Sequence, residues 1–313
     1  MSNTTHWSKM SETGTKLGIQ ILLFIYRVCG KTGFRLLLRP VIFYYWLFSR
    51  KHRNASQQYL TKLKAYYPEL KGNRQLNSIN HLTYFAESIL HKIMAWKGNI
   101  QLDDLYFHLP ESIAEKGDLR SVMLLGSHLG DLELCRALST KIPNINVTAL
   151  VFTKHAVRFN ELLKQYQTHE QGEFDLLQVD EISPATLILL QQRIEQGHII
   201  VIVGDRTSIQ DPSQNNCVRA TFLGEEADFP QGPYILAHLL KVPVYLIFAL
   251  RHPTQTGKFD LYLEHFADQI HLPRRARQNH GVQPYVEKYV QRLAHYCRQS
   301  PLEWFNFYDF WRK

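Results

Sequence analysis

From residue 119 onward, short apolar runs alternate with stretches of helical period. The runs are SVMLLG (121–126), INVTALVF (145–152), DLLQVD (175–180), IIVIVGD (199–205), VPVYLIFAL (242–250) and FDLYLEHF (259–266). Short runs rich in Val and Ile, bounded by turn residues, predict strands. Unbroken runs such as IIVIV predict strands buried on both faces, as in a parallel sheet. The stretches 131–140, 156–168, 184–196 and 231–240 are predicted helices. This alternation predicts an α/β fold: a mixed, mostly parallel central sheet flanked by helices. FDLYLEHF alternates apolar with polar residues, which predicts an antiparallel strand at the sheet edge. A last helix is expected near 283–299. The closing WFNFYDFW is too apolar to be left wholly in water.

Before residue 119 the pattern is helical. Leu82, Phe85, Ile89, Ile93 and Trp96 recur at helical spacing within 75–96, and their bulk marks a core face. Residues 17–68 read as two or three helices broken near Gly30, Gly33 and Pro40. Residues 1–16 are polar and expected to be flexible. The chain thus divides into a flexible N-terminus (1–16), basic apolar helices (17–68) and an α/β domain (69–313).

Charge sharpens this picture. The formal net charge is +8, yet no Asp or Glu occurs between Glu12 and Glu69. That interval carries Lys16, Arg27, Lys31, Arg35, Arg39, Arg50, Lys51, Arg53, Lys62 and Lys64, set among LGIQILLFIY and LLLRPVIFYYWLF. Cations embedded in aliphatic and aromatic residues suit the interface of an anionic bilayer rather than nucleic acid. The apolar run ends at Arg27, well short of the roughly 20 residues of a span. An in-plane or re-entrant anchor is expected, the alternative being a basic helical hairpin packed on the domain. No short apolar region followed by a small-residue cleavage site marks a secretory signal. The cysteines Cys29, Cys135, Cys217 and Cys297 are scattered, which predicts reduced thiols in a cytoplasmic setting. No zinc-type spacing, phosphate-binding glycine loop or dinucleotide fingerprint occurs, so neither metal nor organic cofactor is expected.

The candidate chemistry sits at the end of the first strong strand, in GSHLGDLEL. In open α/β sheets, ligands bind at the carboxyl ends of strands. His128 falls there, flanked by Gly126 and Gly130. Asp131 is a natural helix N-cap, and Glu133 lies in the first helical turn, where the helix dipole favours its charged form. Glu133 at His128 Nδ1 would fix the tautomer and leave Nε2 as a base for a substrate hydroxyl. The competing reading is a structural histidine bonded to backbone, with both acids acting as caps.

SVMLLGSHLGDLELCRAL resembles the His-x4-acid motif of the glycerolipid and lipid A acyltransferases, here His128 with Glu133. The Glu, rather than Asp, is similar to the late acyltransferases that add lauroyl or myristoyl chains to lipid A. YRVCGKTGFRLLLRPVIFYYWLFSR, VIVGDRTSIQD, FLGEEADFPQGPYILAHLLKVPVYLIFALR and WFNFYDFWRK resemble further blocks of that branch in the same order. Relatives encoded in aryl-polyene lipid clusters are similar too. The resemblance runs through roughly residues 17–312.

The resemblance implies an O-acyltransferase at the cytoplasmic face of a bacterial inner membrane. It would move a fatty acyl chain from acyl-carrier protein or coenzyme A to a hydroxyl of a lipid or glycolipid. His128 would be the general base and Glu133 its orienting partner. Asp205 and Arg206 match a polar pair near the acceptor, with Arg206 binding phosphate or stabilising charge on the thioester oxygen. Their plainer reading is a buried ion pair or a strand-end turn. Arg158 and Asn160 are candidate substrate contacts, on what reads otherwise as a solvated helix face. FPQGP replaces the Glu-Gly-Thr-Arg type turn of the glycerolipid branch, which argues against a glycerol-phosphate acceptor. Gly232 in that turn remains a helix start able to present backbone N–H groups. HLPRRARQNH (271–280) offers three arginines to an acidic carrier protein, or is simply a solvated loop. Two other classes stay open: a non-catalytic lipid-binding protein of the same fold, and a glycosyltransferase acting on a lipid carrier.

Overall fold

Each of the six apolar runs contributes a strand to one sheet. The computed structural model describes residues 30, 33–34, 36–96, 98–116, 118–132, 134–135, 142, 145–151, 174–178, 183–207, 217–273 and 281–311. In chain order the elements are α1 (36–48), α2 (Arg50–Tyr66), α3 (Ser78–Trp96), β1 (Leu105–His108), α4 (Glu111–Lys116), β2 (Met123–Gly126), β3 (Val147–Val151) and β4 (Phe174–Gln178). Then follow α5 (Pro184–Glu195), β5 (Ile199–Val203), β6 (Cys217–Phe222), β7 (Glu225–Pro230), α6 (Gly232–Leu240), β8 (Val244–Arg251), β9 (Phe259–Ala267) and α7 (Gln283–Gln299).

Seven strands form a mixed, mostly parallel sheet in the order β1-β9-β8-β2-β5-β3-β4. β8, β2, β5, β3 and β4 run parallel to one another, and β9 runs antiparallel to β8. The expected antiparallel strand is therefore present, but it is not at the edge. β1 pairs parallel to β9 outside it. The core follows from the two-residue period of the central strands. Met123 and Leu125 enter the cluster beneath α7, which buries Val286, Tyr289, Val290, Leu293 and Cys297 at helical spacing. Val122 and Leu124 enter the opposite cluster with Val147, Ile199 and Ile247. Burying both faces is what requires IIVIV and VYLIFALR to be continuously apolar.

β6 and β7 form a separate hairpin closed by Leu223 (φ 52) and Gly224 (φ 84). Positive φ at both positions is the turn geometry that suits the twist of a two-residue hairpin. At the N-terminal end, helix continues through Pro40, and the expected break there is displaced to Ser49. A buried seam of Phe34, Leu38 and Ile42 against Leu82, Leu90, Phe305 and Phe307 holds that helix in place, offsetting the missing amide of proline. Among the described residues no helix is long and apolar enough to cross a membrane. Residues 1–29, positions 133 and 136–140 of the expected helix 131–140, the whole of the expected helix 156–168, and the arginines of 274–277 lie outside the described residues.

Candidate active site

β2 and β5 are adjacent and parallel, with Gly126 in register with Val203. The pairing continues one step further, as Gly204 N donates to Gly126 O at 3.0 Å. Two residues beyond the last registered pair, His128 and Asp205 therefore leave the sheet side by side. Asp205 Oδ1 lies 2.7 Å from His128 Nδ1, and Asp205 Oδ2 accepts the His128 backbone N–H at 2.9 Å. Asp205 is fully buried, whereas 31% of the His128 side chain is exposed.

The His128 loop is held on both sides. Gly130 N donates to Glu303 O, Phe305 N donates to His128 O, and Asp131 N donates to Ala249 O at the end of β8. Gly130 has φ +77, and a Cβ there would lie 2.0 Å from the Ala249 carbonyl oxygen, so only glycine fits. Asp131 caps the following helix as expected, its Oδ1 accepting from Leu134 N. Leu129 N donates to Ser127 Oγ. The four amides from His128 to Asp131 are thus all engaged within the protein.

Asp205 Oδ2 collects two further donors from the C-terminal segment. Trp304 Nε1 donates at 3.0 Å and Asn306 Nδ2 at 3.2 Å. Arg206 stands next to Asp205 but turns away from it. Its Nε donates to Asn306 Oδ1 at 2.6 Å and its Nη2 to Phe305 O at 2.8 Å.

The electrostatics define the protonation state. Burial disfavours the imidazolium of His128, and the Arg206 charge adds to this; Asp205 opposes both, and the net shift is downward. Burial alone would raise the Asp205 carboxyl, but the His128 ring and Arg206 outweigh it and hold the group below its ordinary value. At neutral pH the pair is therefore an ionised carboxylate and a neutral ring. Nδ1 carries the hydrogen that Asp205 accepts, so the lone pair is on Nε2. Among the described residues Nε2 has no hydrogen-bond partner. His81 is the instructive contrast. It is fully buried, with Nδ1 on Ser56 Oγ and Nε2 on Trp304 O, and burial lowers its pKa to about 4. Both nitrogens are occupied, which makes His81 a strut beneath Trp304.

The expected site residues fare differently. His128 and Asp205 come together. Arg206 joins them through Asn306 rather than as an ion pair with Asp205. Gly232 opens α6, and no hydrogen bond connects it to the His128 cluster. Glu133, Arg158 and Asn160 lie outside the described residues, and the Nδ1 position expected for Glu133 is occupied by Asp205. Trp304 and Asn306 were not among the expected residues. Their one sequence signal is a polar Asn inside a run of aromatics, WFNFYDFW. Lys92 on α3 was also not expected; its charge is near enough to lower the His128 pKa. Among the described residues no cluster of His, Cys, Asp or Glu has the form of a metal site.

A scan of the sequence against protein-family models returns no match, and a search among curated proteins returns none either, so the reading of this site rests on its geometry.

Proposed function

We propose that the protein is an acyltransferase in which His128 is the general base. The observation that carries this reading is a neutral, part-exposed histidine at a strand exit, its Nδ1 tied to a buried carboxylate and its Nε2 without a hydrogen-bond partner among the described residues. Nε2 takes the proton of an acceptor hydroxyl as its oxygen attacks the carbonyl carbon of an acyl thioester. The carbon–sulfur bond then breaks, and the imidazolium returns its proton to the departing thiolate. Asp205 stabilises the imidazolium in between, the base-and-orienter arrangement of the triads with the nucleophile supplied by the substrate. The amides of the His128 loop are spent inside the protein, so charge on the thioester oxygen falls to nearby cations; among the described residues, Arg206 and Lys92 are the two whose charge acts on the ring. Neither a metal nor an organic cofactor enters this scheme. The ordered blocks described above add the donor and acceptor classes: acyl-carrier protein or coenzyme A, and a lipid or glycolipid hydroxyl.

The N-terminal helix supports work at a lipid surface. One face of α1 packs on α3, while Leu36, Val41, Phe43, Tyr44, Leu47 and Phe48 are exposed, Leu36 at 66% and Phe48 at 67%. Arg39, Arg50 and Lys51 are exposed beside them. An apolar face edged by cations fits in-plane docking to an anionic leaflet such as the cytoplasmic face of a bacterial inner membrane.

The test is the mass of the lipid product. Lipid extracts from cells expressing the wild-type chain should contain a species heavier by one acyl group that is lacking with His128→Ala. A hexose increment would point to glycosyl transfer. No wild-type-dependent change in any lipid would leave a binding protein.

A further inference from the structure

Asp205 faces two cationic or potentially cationic groups, the His128 ring and the Arg206 guanidinium, and it makes contact with only one of them. A guanidinium next to a buried carboxylate is a ready counter-charge for it, because an opposite charge stabilises a buried carboxylate. Here Asn306 stands between them. Its Oδ1 accepts from Arg206 Nε at 2.6 Å and its Nδ2 donates to Asp205 Oδ2 at 3.2 Å. Asn306 is 1% exposed and is fixed in a segment that pairs with the His128 loop, through Phe305 N to His128 O. The neighbouring Phe305 carbonyl takes a second guanidinium donor. A side chain with one acceptor and two donors can hold a cation and an anion apart while satisfying both; an acid or a base could not.

We propose that Asn306 is a positioning residue that keeps the Arg206 guanidinium off Asp205 and so reserves that carboxylate for His128. This deepens the reading of His128 as the base and rests on it. Among the described residues, the charged groups that act on the ring are Asp205 and Arg206 from the loop after β5 and Lys92 from α3. Were Arg206 to close on Asp205, the imidazolium would lose part of its counter-charge, and the base would become weaker.

The measurement is the pH dependence of carbethoxylation at His128 by diethyl pyrocarbonate, read by peptide mass spectrometry. It reports the neutral ring without reference to acyl transfer. Asn306→Ser should lower the His128 midpoint by about one pH unit and reduce kcat about ten-fold, as for loss of one hydrogen bond at the reacting group. Asn306→Leu keeps the branched shape, removes both polar atoms and should do the same, which covers a folding failure of the serine variant. In an Arg206→Met background the same Asn306 substitutions should leave the midpoint almost unmoved, because no guanidinium is there to intrude. Equal shifts in both backgrounds, or no shift in either, would overturn the proposal. A coupled shift in a protein whose acyl transfer does not depend on His128 would instead uphold the positioning and refute the base.

Discussion

Replacing Asp205 by asparagine changes the site by one hydrogen-bonding group and almost nothing in volume. The fixed donors around Oδ2, namely His128 N, Trp304 Nε1 and Asn306 Nδ2, dictate which way the new amide lies. Its oxygen must take the Oδ2 position, so its NH2 faces His128 Nδ1. Nδ1 then has to accept, the ring hydrogen moves to Nε2, and the base is lost. Asp205→Asn should therefore lower kcat by about 10²–10⁴ with the fold retained, measured as initial rates at saturating substrate. A rate within a few-fold of wild type would mean that the tautomer does not matter. At this scale the sequence is informative about His128, because a histidine between two glycines at a strand exit is a local pattern. It is uninformative about the partner acid. Asp205 reaches His128 only because β2 and β5 are neighbours, and strand order is a long-range outcome that no local pattern encodes. Trp304 and Asn306, about 100 positions further along, are hidden for the same reason.

Among the elements, those with strong periodicity are legible and the short ones are not. IIVIV and VYLIFALR show themselves by unbroken apolarity. β1 is four residues, LYFH, with only Leu105 buried, so it carries no run to read, and its absence from the expected sheet misplaced β9 at the edge. The β6–β7 hairpin has a readable alternation, with Val218, Ala220 and Phe222 inward, but sits outside the main sheet. Pro40 misleads because tertiary packing of Phe34, Leu38 and Ile42 outweighs a local penalty. The same helix supplies a prediction. Phe43 and Phe48 touch water rather than core, so Phe43→Glu with Phe48→Glu should leave the fold intact. Each phenylalanine buried in a lipid interface contributes about 1.5–3 kcal/mol, so the double change should weaken binding to anionic vesicles by 10²-fold or more. Reversing Arg39, Arg50 and Lys51 should release the protein at moderate salt, at about 1 kcal/mol per charge. Co-flotation with phosphatidylglycerol vesicles measures both, and unchanged partitioning would refute the docking face.

Across the whole molecule, the C-terminal segment ties the α3 side to the sheet. Trp304 packs against Tyr59 at a tilt and edge-on against Phe222 and Phe310, is supported by His81, and is bonded to Asp205. Beside it Glu303 accepts from Arg251 N, and Arg251 reaches on to Glu87 and the Tyr84 carbonyl of α3. Burial pushes the Glu303 carboxyl up to about 7, with Asp131 adding to the rise and Arg251 opposing it. Below its ordinary value of 4.5 this group is protonated whether the chain is folded or not. Between there and about 7 the unfolded chain gives up the proton while the folded one keeps it, so stability falls as pH rises, and above about 7 the loss is complete. The loss is about 3 kcal/mol. Glu303→Gln cannot titrate, so denaturant titrations at pH 5 and pH 8 should show that decrement in the wild type and not in the variant. Identical pH dependence in the two proteins would place the proton elsewhere.

The most direct test of the base is a single-turnover assay on the purified protein with an acyl thioester and a lipid acceptor, comparing wild type with His128→Gln. The glutamine keeps a polar side chain at the strand exit but cannot accept and return a proton. Acyl transfer should fall by about 10²–10⁴, with circular dichroism unchanged. Transfer within about three-fold of wild type, less than the loss of one general base, would contradict the assignment of His128.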